Sequence, residues 1–265
     1  RTHNKFSKRI FHVFYQIWYL FHLWDMVVNF FNLPELNLGF DTLTVYPDTG
    51  NPGTTTCDAE MHYNGSGTWA TIHDSTGNNV SGAGTTETFC TITSTNPNWI
   101  EIRRGGFTFD TSSLGASATI STATYSIMPD VLSAANYTDS FRLCDFTPAA
   151  NNQFVAGDYN NFGTTAYCDT DIANTALTAG VYSDWALNAT GISNVSKTGI
   201  TKLGLRNVTD ITNSPPTMGA GTSYVQLVGR AADYAGTSSD PKLVVTYTIG
   251  GVVAVNPTLL TMNVG

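Results

Sequence analysis

Few residues in this chain could perform acid–base or nucleophilic chemistry. Three of the five histidines lie within the first 22 residues, which leaves His62 and His73 in the rest of the sequence. Nucleophile–base catalysis usually needs a well-placed histidine, and both of these occupy strand-like segments. We interpret them as surface or half-buried strand residues. No zinc-protease, serine-hydrolase, phosphate-loop or dinucleotide motif accompanies them.

Paired carboxylates are the other common source of catalysis. Beyond residue 38 the glutamates are only Glu60, Glu87 and Glu101, and most aspartates stand beside Gly, Pro, Asn or Thr. Glycoside hydrolysis needs two facing carboxylates. We therefore expect a protein that is not an enzyme. A polysaccharide hydrolase or lyase that uses Glu60 and Glu101 is the weaker alternative.

The aspartates favour either metal binding or turn formation. Asp169 and Asp171 form the tightest pair, and Asp158 lies a short loop upstream. Calcium takes six to eight oxygen ligands, many from carboxylates. Aspartates in loops also cap turns. Both interpretations stay open, a structural calcium ion or turn-capping acids, and no cofactor is required for folding.

The cysteines could form disulfides. Cys57, Cys90, Cys144 and Cys168 are even in number and contain no C-x-x-C spacing, so three pairings are open. We expect at least one disulfide, and the sequential pairing fits neighbouring strands. In a reducing compartment the four residues would instead be buried thiols.

Aromatic side chains could form a sugar-binding platform, because they stack on pyranose faces. The candidates are Trp99, Trp185, Tyr137, Tyr159 and Tyr234. Trp99 follows Asn98 and Trp185 follows Asp184, which favours exposed positions for these two rings. Packing in the protein core is the alternative for each of the five.

Composition narrows the class of protein. The chain has 265 residues, of which 12% are charged, against roughly 25% in average soluble domains. It contains 59 threonine and serine residues and 24 glycines, a mixture poor in helix formers. The net charge of −8 argues against a nucleic-acid partner, which needs a clustered basic surface.

The first 38 residues differ from the rest. They contain no glycine or alanine, and they carry four basic and two acidic residues, whereas the remainder carries eight and eighteen. Three interpretations of this leader stay open: translated upstream sequence, a signal or membrane anchor, and a pilin-like assembly helix. The predicted domain covers 39–249, and 250–265 is interpreted as a linker or the start of a further module.

Alternating polar and apolar residues predict strands throughout 39–249. In the segment 242–249, for example, Leu243, Val245, Tyr247 and Ile249 share one face, which is the period of a strand. About a dozen such segments, one of them at 69–73, predict an antiparallel jelly-roll β-sandwich. The only helical turns expected lie near 190–196.

The apolar residues of one predicted strand change from one face to the other. Ile100 and Ile102 are apolar at even positions, whereas Phe107 and Phe109 are apolar at odd ones. A strand cannot change the face of its apolar residues without an inserted residue. We therefore predict a β-bulge at Gly105-Gly106 and expect valine at either glycine to destabilise the fold.

Two stretches of the chain resemble a known family. They are Arg103-Arg-Gly-Gly-Phe-Thr-Phe-Asp-Thr-Ser-Ser-Leu114 with Ala118-Thr-Ile-Ser-Thr-Ala-Thr-Tyr125, and the segment 230–247. They resemble DNRLRE-like jelly rolls, which look like carbohydrate-binding modules and occur in secreted, cell-surface and phage-derived proteins. The resemblance implies a non-catalytic β-sandwich, and jelly rolls of this type often carry a structural calcium ion.

The sequence therefore predicts an extracellular display or adhesion module of a cell surface, secreted protein or virion. Surface glycans or neighbouring modules of the same polypeptide are the expected partners, and a membrane would be contacted only through the leader. A structural spacer or fibre subunit without a ligand is the alternative from a different class.

Overall fold

Antiparallel β-sheet dominates the protein, as the alternating residue pattern predicts. The computed structural model describes residues 40–250. The predicted leader and nearly all of the predicted C-terminal linker lie outside the described residues. Within the described range fourteen strands form two sheets, which confirms the predicted all-β sandwich.

The strands are β1 (Asp41–Val45), β2 (Asp58–Gly67), β3 (Asn79–Ser81), β4 (Thr86–Thr95), β5 (Asn98–Asp110), β6 (Ala118–Ile127), β7 (Pro129–Ala135), β8 (Ser140–Phe146), β9 (Phe162–Ala166), β10 (Ile172–Ala173), β11 (Ser183–Ala186), β12 (Ile200–Asn207), β13 (Thr222–Arg230) and β14 (Lys242–Ile249). The described α-helices are α1 (Trp69–His73), α2 (Ala189–Asn194) and α3 (Val208–Ile211). Helix α2 confirms the helical turns predicted near 190–196, whereas α1 and α3 lie where no helix was expected.

Helix α1 overturns the strand predicted at 69–73. The side chain of Thr68 accepts a hydrogen bond from the backbone N–H of Thr71 and caps the helix, as residues of this type do at helix starts. Trp69 and Ile72 are three residues apart, so they share one helix face, and both are buried. The Trp69 ring meets Trp99 edge-on, with 4.8 Å between centroids.

The two sheets differ in size. The smaller sheet has the strand order β1-β14-β6-β11, and the larger contains β10-β8-β12-β5-β4-β13-β7 with β2, β3 and β9 attached. Strand β5 organises the larger sheet. One edge of β5 pairs with β2, while the other edge pairs with β4 over 98–103 and with β12 over 105–110.

Aromatic rings fill the space between the sheets. Tyr125 of β6 lies 5.0 Å from Phe107 of β5 and 6.0 Å from Trp185 of β11, measured between ring centroids. Phe89 of β4 lies 4.8 Å from Phe107. All four side chains are buried, so contact between large rings from both sheets stabilises the sandwich.

The predicted bulge at Gly105-Gly106 is wrong. Pairing with β2 runs without a shift from Glu101 to Phe107, and pairing with β12 continues to Asp110. The irregularity falls at Ile100 instead, where the pairing with β4 shifts. The apolar residues change face because 104–109 are buried on both faces of the sheet, whereas around Ile102 only the face of that residue is fully buried.

The β5 glycines are needed for close packing. A β-carbon at Gly106 would lie 2.6 Å from the Phe146 ring and 2.9 Å from the Met61 methyl group. We expect Gly106→Ala to lower the free energy of unfolding by about 1–3 kcal/mol, since overpacking forces neighbours to shift. Gly157→Ala is the control, because nothing lies within 4 Å of its added carbon. Equal urea midpoints for the two variants would contradict this packing account.

Candidate binding face

Two rows of polar side chains cross five strands of the larger sheet. Residues that pair directly across neighbouring strands share a face, and so do residues two apart along a strand. The first row is His62, Arg103, Thr91, Gln226 and Ser133 on β2, β5, β4, β13 and β7. The second row is Asn64, Glu101, Thr93 and Tyr224. We call these nine residues the polar strand face.

Local sequence explains why these side chains share a face. In three strands an aliphatic residue separates two residues of the face: Thr91-Ile-Thr93, Glu101-Ile-Arg103 and Tyr224-Val-Gln226. In β2 the half-buried Tyr63 separates His62 from Asn64. The intervening Ile92, Ile102 and Val225 are fully buried on the opposite face. This alternation is visible in the sequence, but the order of the strands that aligns the four segments is not.

A charged network occupies one side of this face. His62 Nδ1 lies 2.7 Å from Glu60 Oε2, and Glu60 shares the face because it precedes His62 by two residues. Arg103 donates through Nη1 to Glu60 Oε1 at 2.7 Å and lies 2.8 Å through Nη2 from Glu101 Oε1. Asn64 Nδ2 donates to the same Glu101 oxygen at 3.2 Å. One guanidinium therefore joins two carboxylates.

Burial sets the electrostatics of this network. Desolvation raises the pKa of Glu60, although the hydrogen bond with His62 and the charge of Arg103 oppose the rise. Burial alone would lower the pKa of Arg103, but attraction by Glu60 and contact with Glu101 raise it overall. The Glu60 side chain is 0% exposed and that of Arg103 is 23% exposed, so of these two side chains only the arginine is open to a ligand.

The aromatic residues predicted to bind sugar do not form an exposed platform. Trp99, Trp185 and Tyr159 are buried, which corrects the exposed positions expected for the two tryptophans. The Trp185 indole N–H donates to a backbone carbonyl in the core. Tyr137 packs against the core, and Tyr234 lies under the guanidinium of Arg230. Four of the five rings therefore pack in or against the core, and Tyr234 packs against Arg230.

Two of the three aspartates predicted to bind calcium make other contacts instead. Asp158 is buried and accepts hydrogen bonds from the backbone of Ala149 and Val155, which is a turn-capping role. Both carboxylate oxygens of Asp171 accept from Arg142 at 2.6 Å, and Asp169 is exposed. Residues 40–250 contain no group of three His, Cys, Asp or Glu side chains that could hold a metal ion.

The four cysteines are free and buried, so the expected disulfides are not formed. The thiol of Cys90 donates to the carbonyl of Leu205 at 3.3 Å, and that of Cys57 lies 3.8 Å from the carbonyl of Asn151. Burial raises the pKa of the Cys57 and Cys144 thiols to about 12. Thiols that stay protonated react slowly, so these side chains act as small apolar residues.

A buried ionic cluster, which no sequence pattern predicts, lies on the opposite face of the larger sheet. Asp210 of α3 accepts from Arg104 at 2.7 and 2.9 Å and from Arg206 at 2.7 Å. His73, at the end of α1, lies 2.8 Å from the Asp210 carbonyl. The remaining hydrogen bonds of Arg104 and Arg206 are to backbone carbonyls, those of Tyr159, His73, Phe162, Gly163 and Asp210. The cluster therefore fixes loops onto the sheet.

No protein-family model matches the chain, and no curated protein matches it either. Among the described residues, no helix is long and apolar enough to cross a membrane.

Proposed function

We propose that this domain is a non-catalytic extracellular display or adhesion module, and that its polar strand face binds a glycan. The observation that carries the proposal is the alignment of nine polar residues from five strands on one sheet face. Most of these residues are exposed or half-buried.

The chemistry of the face suits a hydroxyl-rich ligand. Gln226 and Asn64 each provide an amide donor and acceptor, Thr93 provides a hydroxyl group, and Glu101 provides carboxylate oxygens. Tyr224 adds a half-buried aromatic ring of the kind that packs against a sugar. A rigid sheet holds these groups at fixed spacings, which lowers the entropic cost of binding.

The network supports a binding role over catalysis. A glycosidase needs one carboxyl group as a free acid and a second as a base or nucleophile. Here Arg103 contacts both Glu60 and Glu101, and Glu60 is inaccessible. Double substitution of these glutamates would abolish turnover if the protein were a hydrolase.

The position of the domain ends favours display over an in-line spacer. Strands β1 and β14 are antiparallel neighbours, and Asp41 pairs with Tyr247. The chain therefore enters and leaves the domain at the same end. A domain whose two ends lie together is better suited to display than to an end-to-end spacer. A purely structural spacer or fibre subunit remains the alternative, and it would bind no glycan.

Two sequence features support the proposed extracellular location. The composition is poor in charge and rich in Thr, Ser and Gly, and the segments 103–125 and 230–247 resemble jelly rolls of secreted, cell-surface and phage-derived proteins. Neighbouring modules of the same polypeptide are the further proposed partners, and the negative net charge disfavours nucleic acid.

A glycan array probed with the full chain tests the proposal. We expect binding to at least one glycan class and a loss of at least about tenfold in affinity for Tyr224→Ala, since aromatic contacts carry much of such an interaction. Tyr234→Ala is the matched control, because this tyrosine lies in the loop after β13. If no glycan binds, the protein is a spacer. If only Tyr234→Ala weakens binding, the ligand occupies another site.

A further inference from the structure

We infer that the polar strand face selects uncharged glycans and rejects acidic ones, and that Glu101 determines this specificity. The inference rests on the glycan-binding function proposed above. It concerns the charge balance around Arg103, because this residue is the only lysine or arginine among the nine residues of the face.

The positive charge of Arg103 is already compensated. Its Nη1 and Nη2 groups contact one oxygen of Glu60 and one of Glu101, at 2.7 and 2.8 Å. One guanidinium therefore faces two carboxyl groups, and His62 contacts Glu60 and not Glu101. Glu87 is buried and adds a further repulsive charge close enough to raise the pKa of Glu60. The face therefore has an excess of negative charge.

An acidic sugar would bind poorly under these conditions. Its carboxylate would have to displace Glu101 from Arg103, or lie beside Glu101 without a cation of its own. Displacement leaves the Glu101 carboxylate, whose side chain is only 13% exposed, without its ionic partner. Like charges at short range in partly desolvated sites repel strongly, so either arrangement disfavours a uronic or sialic acid.

An uncharged sugar avoids that penalty and gains hydrogen bonds. Both contacts of Glu101 with Arg103 and Asn64 involve Oε1. The second oxygen, Oε2, is therefore available to accept hydrogen bonds from sugar hydroxyl groups. Hydrogen bonds to a charged acceptor are stronger than neutral ones, so Glu101 favours a hydroxyl group at the position where it disfavours a carboxylate.

The test uses immobilised glycan pairs that differ only at C6, with a hydroxymethyl group in one member and a carboxylate in the other. At one fixed ionic strength, we expect the full chain to bind the neutral member at least about tenfold more tightly, which corresponds to 1.4 kcal/mol. Glu101→Gln removes the charge and keeps the shape. It should reduce the neutral-to-acidic affinity ratio by about tenfold.

Asp184→Asn is the matched control, because Asp184 is an exposed acid on β11 of the smaller sheet, and it should leave the ratio unchanged. Circular dichroism verifies that both variants are folded. Equal or tighter binding of the acidic members would overturn the inference while leaving glycan binding intact, and so would an unchanged ratio for Glu101→Gln. If no pair binds at all, the proposed function and the inference both fail.

Discussion

Asp210→Asn is expected to destabilise the fold by about 3–5 kcal/mol, because it leaves two buried guanidinium groups without their counter-charge. Arg104, Arg206 and Asp210 are each at most 3% exposed. Burial would raise the pKa of Asp210, but attraction by the two arginines dominates and lowers it well below its usual range. Urea unfolding followed by circular dichroism measures the loss as a shift in midpoint at constant slope.

Asp171→Asn is the matched control for this measurement. It breaks an equally well-formed pair, in which Arg142 contacts both carboxylate oxygens, but the two side chains are 25% and 27% exposed. Ion pairs that are open to solvent contribute about 0–1 kcal/mol to the free energy of unfolding. If both variants lose the same stability, burial is not what makes the Asp210 cluster important.

Asp58→Asn is expected to stabilise the protein at neutral and alkaline pH. Asp58 begins β2 and is completely buried, and its Oδ1 atom has no hydrogen-bond partner among the described residues. Desolvation is the main cause that raises its pKa to about 8, with smaller contributions from Asp233 and Glu87. The folded protein therefore holds a proton that the unfolded chain releases above about pH 4.

The pH dependence of Asp58 follows from this difference. Its contribution to stability is intact below pH 4 and is lost as the pH rises towards 8, because the unfolded chain then binds fewer protons. The rise in the pKa of Asp58 from 3.8 to about 8 corresponds to a loss on the order of 5 kcal/mol in the free energy of unfolding. The melting-temperature advantage of Asp58→Asn should be near zero at pH 4 and should grow up to pH 8.

The control for Asp58→Asn is Asp169→Asn, which replaces an exposed aspartate. It should show no comparable trend with pH. Both variants are compared in buffer containing a chelator, so that a stray cation does not hold Asp58 ionised. If the melting temperatures of Asp58→Asn and the parent differ by the same amount at every pH, Asp58 is ionised in the folded state.

The sequence was sufficient for the fold class but not for all of its elements. Alternation of period two identifies β14 and β13 directly, because each buries one face. It fails at α1, where the five residues 69–73 also fit a strand and the cap at Thr68 decides the outcome. It fails at Gly105 as well, because a strand buried on both faces produces the same pattern as a bulge.

The candidate site was harder to predict than the fold. Large aromatic residues beside polar neighbours suggested exposed platforms, yet Trp99 and Trp185 are required in the core. Polar residues of ordinary type form the face instead, and Gln226 becomes part of it only because β13 pairs with β4 across a separation of about 130 residues. Single-sequence patterns do not contain that pairing.

Chemical-shift mapping tests the central claim most directly. The isotope-labelled full chain is titrated with the tightest-binding oligosaccharide from the array, and backbone amide signals are followed. If the polar strand face is the binding site, the largest changes will lie in β2, β5, β4 and β13, around residues 62–64, 91–93, 101–103 and 224–226. Changes confined to the loop containing Tyr234, or to the smaller sheet, would contradict it.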